Sequence, residues 1–243
     1  ALDAPADLAS GVSTSPILSV AVDDPDADSL TVTFYARPVE IPAVPDFTLI
    51  GLPDTQNYTS GVNGGTPAMF RVQTQWIVAN RLARNIAYVS QLGDCVQNGD
   101  NGGNPAEWLA ADSAMTLLED PLTTGLPEGI PYGVCVGNHD QTPNGTAAGS
   151  TWLYNQFFGT SRFAGRSYYG GHYGFNNDNY YDLCNAGGLD FIVVSLEFDA
   201  EPDAAVLAWA DQVLTTYGNR PAIVTSHELI GSGNFASFAP QGQ

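Results

Sequence analysis

Apolar runs of four to eight residues, each closed by a short polar cluster, set the pattern of this chain from residue 46 onward. FTLIGLP runs into Asp54-Thr55-Gln56, IAYVSQL into Gly93-Asp94 and Gly99-Asp100, YGVCV into Gly137-Asn138-His139-Asp140, and AIVT into Ser226-His227-Glu228. Runs of this length read as buried strands, and polar groups at the ends of several such strands converge on one rim of an α/β sheet. Between them, Phe70 to Ala83 carries apolar residues at helical spacing, and Pro105 opens a second helix that extends to about Leu118. Thr151 to Phe158 predicts a short aromatic helix and Pro202 to Tyr217 another. NYYDLC and LDFIVVSLEF, separated by Asn185-Ala186-Gly187-Gly188, predict a hairpin.

Residues 1–44 follow a different pattern. ILSVAV and LTVTFYA are two β-rich runs joined by Asp23-Asp24-Pro25-Asp26-Ala27-Asp28-Ser29, which predicts a hairpin or part of a small sandwich. Asp24, Asp26 and Asp28 could hold Ca²⁺ through oxygen, or could form a solvated acidic turn. PVEIPAVP (38–45) reads as an extended linker, so the expected organisation is a small β segment over 1–44 followed by a larger α/β domain over 45–243.

Composition narrows the partners. The net charge is −19, and all seven basic residues are arginines. Such a surface repels a nucleic-acid duplex and anionic membranes, although bound metal ions can reverse the sign locally. No run reaches the ~20 apolar residues of a membrane helix, and the first residues do not form a signal peptide, as a mature product would not. The Gly, Asn, Ser and Thr content fits a secreted, periplasmic or cell-surface protein. Cys95, Cys135 and Cys184 read as buried thiols, with a Cys95–Cys135 bridge open in an oxidising compartment.

The polar clusters carry the candidate chemistry. Asp54 and Asp94 offer hard oxygen donors from two strand ends, and either alone would equally serve as a helix cap or turn former. In Asn138-His139-Asp140, an amide oxygen can ligate a cation, the next imidazole can face a substrate, and the following carboxylate can hold that ring.

The series D-x-Q, GD-x₄-GD, GNHD and a late His resembles the calcineurin-like metallophosphoesterases. It is most similar to secreted bacterial members that open GLPDTQ-Y and carry a short Ig- or cadherin-like segment. The resemblance implies a four-layer α/β/β/α sandwich with mixed sheets. It implies Asp94 bridging two metal ions, Asp54 and Gln56 on the first, and Asn138 and His227 on the second. His139 would be the general acid, Asp140 its orienting partner and Asp100 a buttress of the Asp94 loop. The implied reaction is phosphoester hydrolysis by metal-bound hydroxide, with Mn²⁺, Mg²⁺, Zn²⁺ or iron as the ions and a small-molecule or lipid ester as substrate.

Two departures matter. Gln56 stands where many members have His, which leans the first position toward harder cations. The family's terminal G-H-x-H has no counterpart, because residues 229–243 contain no histidine. His172, in YYGGHYGF, precedes His227 and reads as a loop or packed residue. The expectation is therefore a chain truncated at its C-terminus. Its rivals are a catalytically silent secreted scaffold on the same fold and a calcium-stabilised surface or adhesion fragment.

Overall fold

A computed structural model describes residues 2–4, 17, 19–20, 45–201, 203–227, 230–231 and 234–235. The chain forms two compact units, Ala1–Pro42 and Ala43–Gln243. In the first, β1 (Leu2–Ala4) pairs antiparallel with β2 (Ser19–Val20). The expected hairpin over 17–37, with Asp24, Asp26 and Asp28, lies almost wholly outside the described residues, and the three aspartates entirely so.

The second unit is built on two sheets. β3 (Thr48–Leu52), β4 (Ile86–Gln91) and β5 (Tyr132–Val134) form a parallel sheet in that order. β6 (Tyr169–His172), β7 (Tyr180–Ala186), β8 (Leu189–Leu196) and β9 (Ala222–Ser226) form the other. There β6, β7 and β8 are antiparallel neighbours, and β9 joins β8 in parallel. The β7–β8 turn passes through Gly187 and Gly188 at φ 62° and 88°, the left-handed pair that a tight hairpin requires.

Side-chain alternation stacks the layers. On β4, Ile86 and Tyr88 point toward the second sheet, where the Tyr88 hydroxyl donates to Asp182 of β7. Tyr88, Tyr132, Phe191 and Val193 belong to one buried core. That core continues to Phe70 and Ile77 of α2 (Pro67–Asn80) and to Trp108, Ala111 and Met115 of α3 (Ala106–Met115). Ile192 and Val194, on the opposite face of β8, pack against Ala210 and Val213 of α7 (Ala204–Thr216). The order is helices, parallel sheet, mixed sheet, helix: the four-layer sandwich expected from the sequence. Arg162, in α6 (Thr160–Phe163), ties that helix to the segment after α3 by donating to Glu119 Oε1 at 2.9 Å. Among the described residues, no helix is long and apolar enough to cross a membrane.

Several local details differ from the sequence reading. α2 begins at Pro67, three residues early, because proline presets the first helical φ. The second helix tightens into a 3-10 turn over Thr116–Leu118. A one-turn helix, α1 (Gln56–Ser60), closes the loop after β3 and stops at Gly61, φ 73°. The aromatic helix is α5 (Trp152–Phe157). His172 ends strand β6 rather than lying in a loop, with Nδ1 3.0 Å from the Tyr169 hydroxyl. All three cysteines are buried and free, so the Cys95–Cys135 bridge is not formed.

Candidate metal centre

The carboxyl ends of β3, β4 and β9 carry Asp54, Asp94 and His227 to one place, and the turn after β5 brings the His139 N–H to Asp94. Ligating atoms of Asp54, Asp94 and His227 all lie within 4.8 Å of one another. Their side chains are 62%, 6% and 13% exposed, so the group is open to solvent on the Asp54 side and walled elsewhere. Asp54 and Asp94 both hold left-handed φ, 40° and 49°. Aspartate and asparagine adopt such backbone more readily than other non-glycine residues, and two aspartates holding it side by side turn both carboxylates off their strand ends.

Asp94 is the most constrained of the set. Its Oδ1 accepts the His139 N–H at 2.9 Å, and its Oδ2 accepts Gln56 Nε2 at 3.0 Å and faces His227 Nε2 at 3.2 Å. Gly93, at φ 98°, leaves room for the His227 ring, which a Cβ there would meet at 2.6 Å. Buried Gln91 clamps the same turn. Its Oε1 accepts the Gly93 N–H at 2.9 Å, and its Nε2 donates to the Gly93 carbonyl at 2.8 Å and to Thr55 Oγ1 at 3.3 Å. The ends of β3 and β4 are thereby locked together.

Asn138 sits between Gly137, which packs on Asp94, and His139, which bonds it. Its Nδ2 donates to Asn144 Oδ1 at 3.1 Å, which leaves its own Oδ1 outside that contact. The Phe198 ring packs edge-on against His227, with centroids 6.3 Å apart.

The electrostatics and unmet polar groups fit a cation. Burial works to raise the Asp94 pKa, but the His227 hydrogen bond and the His139 N–H outweigh it and hold the carboxyl below its usual range. Burial opposes protonation of His227, yet the hydrogen bond and charge of Asp94 push its pKa up to about 9. His227 Nδ1 lies 3.0 Å from the Leu92 carbonyl, so Nδ1 donates there and Nε2 points into the group, the arrangement usual for ligating histidines. Gln56 Oε1 is buried without a partner. An orphaned amide oxygen beside two carboxylates is a donor set suited to a hard divalent ion.

The neighbouring roles need correction. His139 Nδ1 lies 2.9 Å from the Gln97 carbonyl and 3.1 Å from Gln97 Nε2, so Gln97 orients the ring. Asp140 is fully buried and accepts the Gly137 N–H at 2.8 Å and the Val96 N–H at 3.0 Å, rather than holding His139. Burial and the Asp94 charge push its pKa up to about 7. Asp100 does not brace the Asp94 loop through its carboxylate, which accepts the Leu153 N–H at 2.9 Å. Its own N–H reaches Thr142 Oγ1 at 2.9 Å.

A cleft of about 320 Å³ opens beside this group, with His139 in its wall. Gln91, Gln97 and Gly137 were missed as site residues. Only the GNHD context pointed to Gly137, and Gln91 and Gln97 carried no signal, because their roles come from contacts across the fold.

The geometry defines a mixed α/β sandwich with a candidate cation site on its strand-end rim. No protein-family model matches the chain. It is 36% identical over 197 residues to uncharacterized protein YvnB of Bacillus subtilis, an alignment covering 80% of this chain and 14% of that protein. The chain therefore spans about one seventh of that relative's length. Among solved structures, it is similar to a dimetal phosphatase from Danio rerio at 16% identity and a TM-score of 0.46, over 76% of this chain and 70% of that one.

Proposed function

We propose that this chain hydrolyses a phosphoester at a centre for two divalent cations. Asp54, Gln56 and Asp94 would hold one ion, and Asp94, Asn138 and His227 the other. The observation that carries this reading is the convergence of Asp54, Asp94 and His227 from three strand ends within 4.8 Å, beside an unpartnered Gln56 oxygen. The motif series resembling the metallophosphoesterases supports the same reading.

Bound ions of this kind polarise phosphoryl oxygens and lower the pKa of water. The chain's own groups would do the rest. Asp94, held by three partners, would keep the donor set in register. His139, with Nδ1 beside the Gln97 carbonyl and Gln97 Nε2, presents Nε2 to the cleft, from which its protonated ring would give a proton to a departing alkoxide. No side-chain nucleophile is required, and the cysteines are unsuited to the task. Burial pushes the Cys135 thiol up to about 12 and holds Cys95 well above its ordinary value.

The test combines metal analysis with turnover. Purified full chain loaded with Mn²⁺ should retain about two equivalents, as a two-metal site requires, and cleave p-nitrophenyl or bis-p-nitrophenyl phosphate until EDTA is added. Asp94→Asn should lose metal and turnover together. Retention of no metal by the wild-type chain, with no turnover, would instead identify a silent scaffold.

A further inference from the structure

The cleft beside His139 has a chemical character that the metal centre alone does not explain. Five side-chain amides (Gln97, Asn98, Asn101, Gln141 and Asn144) and the Thr142 hydroxyl line it around the His139 ring, and glycine completes the wall. None of these residues carries a fixed charge. The charges just behind the lining are negative: Glu107 accepts the Gln97 N–H at 2.7 Å, and Asp100 follows Gly99. No arginine is among the residues that line the cleft.

We infer that this cleft recognises an uncharged, hydroxyl-bearing alcohol and discriminates against one carrying a carboxylate or a second phosphate. Gln97 Nε2 faces His139 Nδ1, Asn98 Nδ2 donates to Glu107 and Gln141 Nε2 to the Phe198 carbonyl. This leaves the amide oxygens of these three side chains as the wall's acceptors, and a hydroxyl can donate to them where a carboxylate cannot. On the hydrolase reading the ester phosphate takes the cations, so a further anion in the cleft would lose water and meet no arginine among the lining residues. The volume, at the small end of the roughly 300–1,000 Å³ of ligand pockets, suits a compact polyol better than a nucleotide. Among the lining residues only His139 presents a flat ring, so a nucleobase would have little to stack on.

The cleft joins the candidate metal centre at two points. His139 bonds Asp94 through its N–H, and Asn144 accepts from Asn138. On the hydrolase reading, from which this assignment follows, the alcohol is the leaving group and His139 the residue beside its oxygen.

Two measurements on the full chain separate the cleft's selectivity from the hydrolase reading. The first compares kcat/KM for sn-glycerol 3-phosphate and 3-phosphoglycerate with Mn²⁺ present. The two esters differ by a hydroxymethyl group against a carboxylate. A preference of about tenfold or more for the glycerol ester is expected, as a site built for a hydroxyl gives. Asn101→Arg should narrow or invert that ratio by supplying the missing cation. The second is saturation-transfer NMR of metal-free protein with free glycerol and free glycerate, in which glycerol should be saturated more strongly and Asn101→Arg should reverse the order. Equal rates, or equal or stronger saturation of glycerate by the wild-type protein, would overturn the assignment. Selective glycerol binding with no ester cleaved would support the cleft's selectivity and sink the hydrolase reading. Neither binding nor cleavage would sink both.

Discussion

Gly137 lies against Asp94 so closely that a Cβ at 137 would stand 2.1 Å from the Asp94 backbone nitrogen and 2.3 Å from its Oδ1. No side chain fits there, and the atoms in the way belong to the residue proposed to bridge two ions. Gly137→Ala must therefore displace Asp94, the Gly137 turn, or both. The expected result is a loss of Mn²⁺ affinity of about tenfold to a hundredfold, the range seen when supporting contacts of metal ligands are removed. Thermal unfolding of the metal-free protein should shift by only a few degrees. Calorimetric titration beside a melting curve checks both, and unchanged affinity would mean that the ligand is not set by this contact.

His139→Ala separates ligation from proton transfer. The side chain has Nδ1 bound to the Gln97 carbonyl and stands in the cleft wall, while its contact with Asp94 is made by the backbone N–H, which alanine keeps. Metal content should be retained. Turnover should fall by about 10²–10⁴ on alkyl phosphates, whose leaving group needs a proton, and far less on p-nitrophenyl phosphate. If the variant loses its metal, His139 is a ligand and the role argued for it is wrong.

What the sequence could and could not reveal about this site follows from range. The strands were legible because apolar runs closed by polar residues are a local pattern, and the three residues that the structure gathers, Asp54, Asp94 and His227, occupy such closures. The Asp140 partner was not. Its carboxylate bonds Val96, 44 residues away, and that pairing exists only once β4 and β5 lie side by side. Gln91 reads in sequence as the polar end of a strand, yet buried it clamps Gly93 and Thr55. The helix α1 was hidden because five residues are too few for a periodicity to register.

The Asp182–Tyr88 pair sets a pH dependence of stability. Asp182 is fully buried between the sheets, and burial pushes its pKa up to about 8, against about 3.9 for an unfolded aspartate. Between those values the native state binds more protons than the unfolded state, so unfolding free energy falls as pH rises from about 4 to about 8 and levels off above. Asp182→Asn keeps an acceptor for the Tyr88 hydroxyl and removes the titration. Chemical denaturation of both proteins at several pH values should show the wild type losing on the order of a few kcal/mol relative to the variant over that window. A difference that stays flat with pH would place the native Asp182 pKa near its unfolded value.

Asp140 supplies the sharpest discrimination between the motif and the molecule. Each of its oxygens accepts one backbone N–H, from Gly137 and from Val96. An asparagine offers one acceptor and one donor, so Asp140→Asn sets an N–H₂ against one of those backbone N–H groups and leaves it unsatisfied. Stability should drop by about 1–3 kcal/mol, the penalty for a buried unpaired donor. The turn that moves is the one pressed on Asp94, so Mn²⁺ affinity should weaken about tenfold. Once metal is saturated, the rate–pH profile should keep its wild-type position, because the ring of His139 is held by Gln97. The opposite result, a displaced profile with unaltered metal affinity, would return Asp140 to the role of His139's partner and would mean that the Gln97 contact gives way when substrate binds.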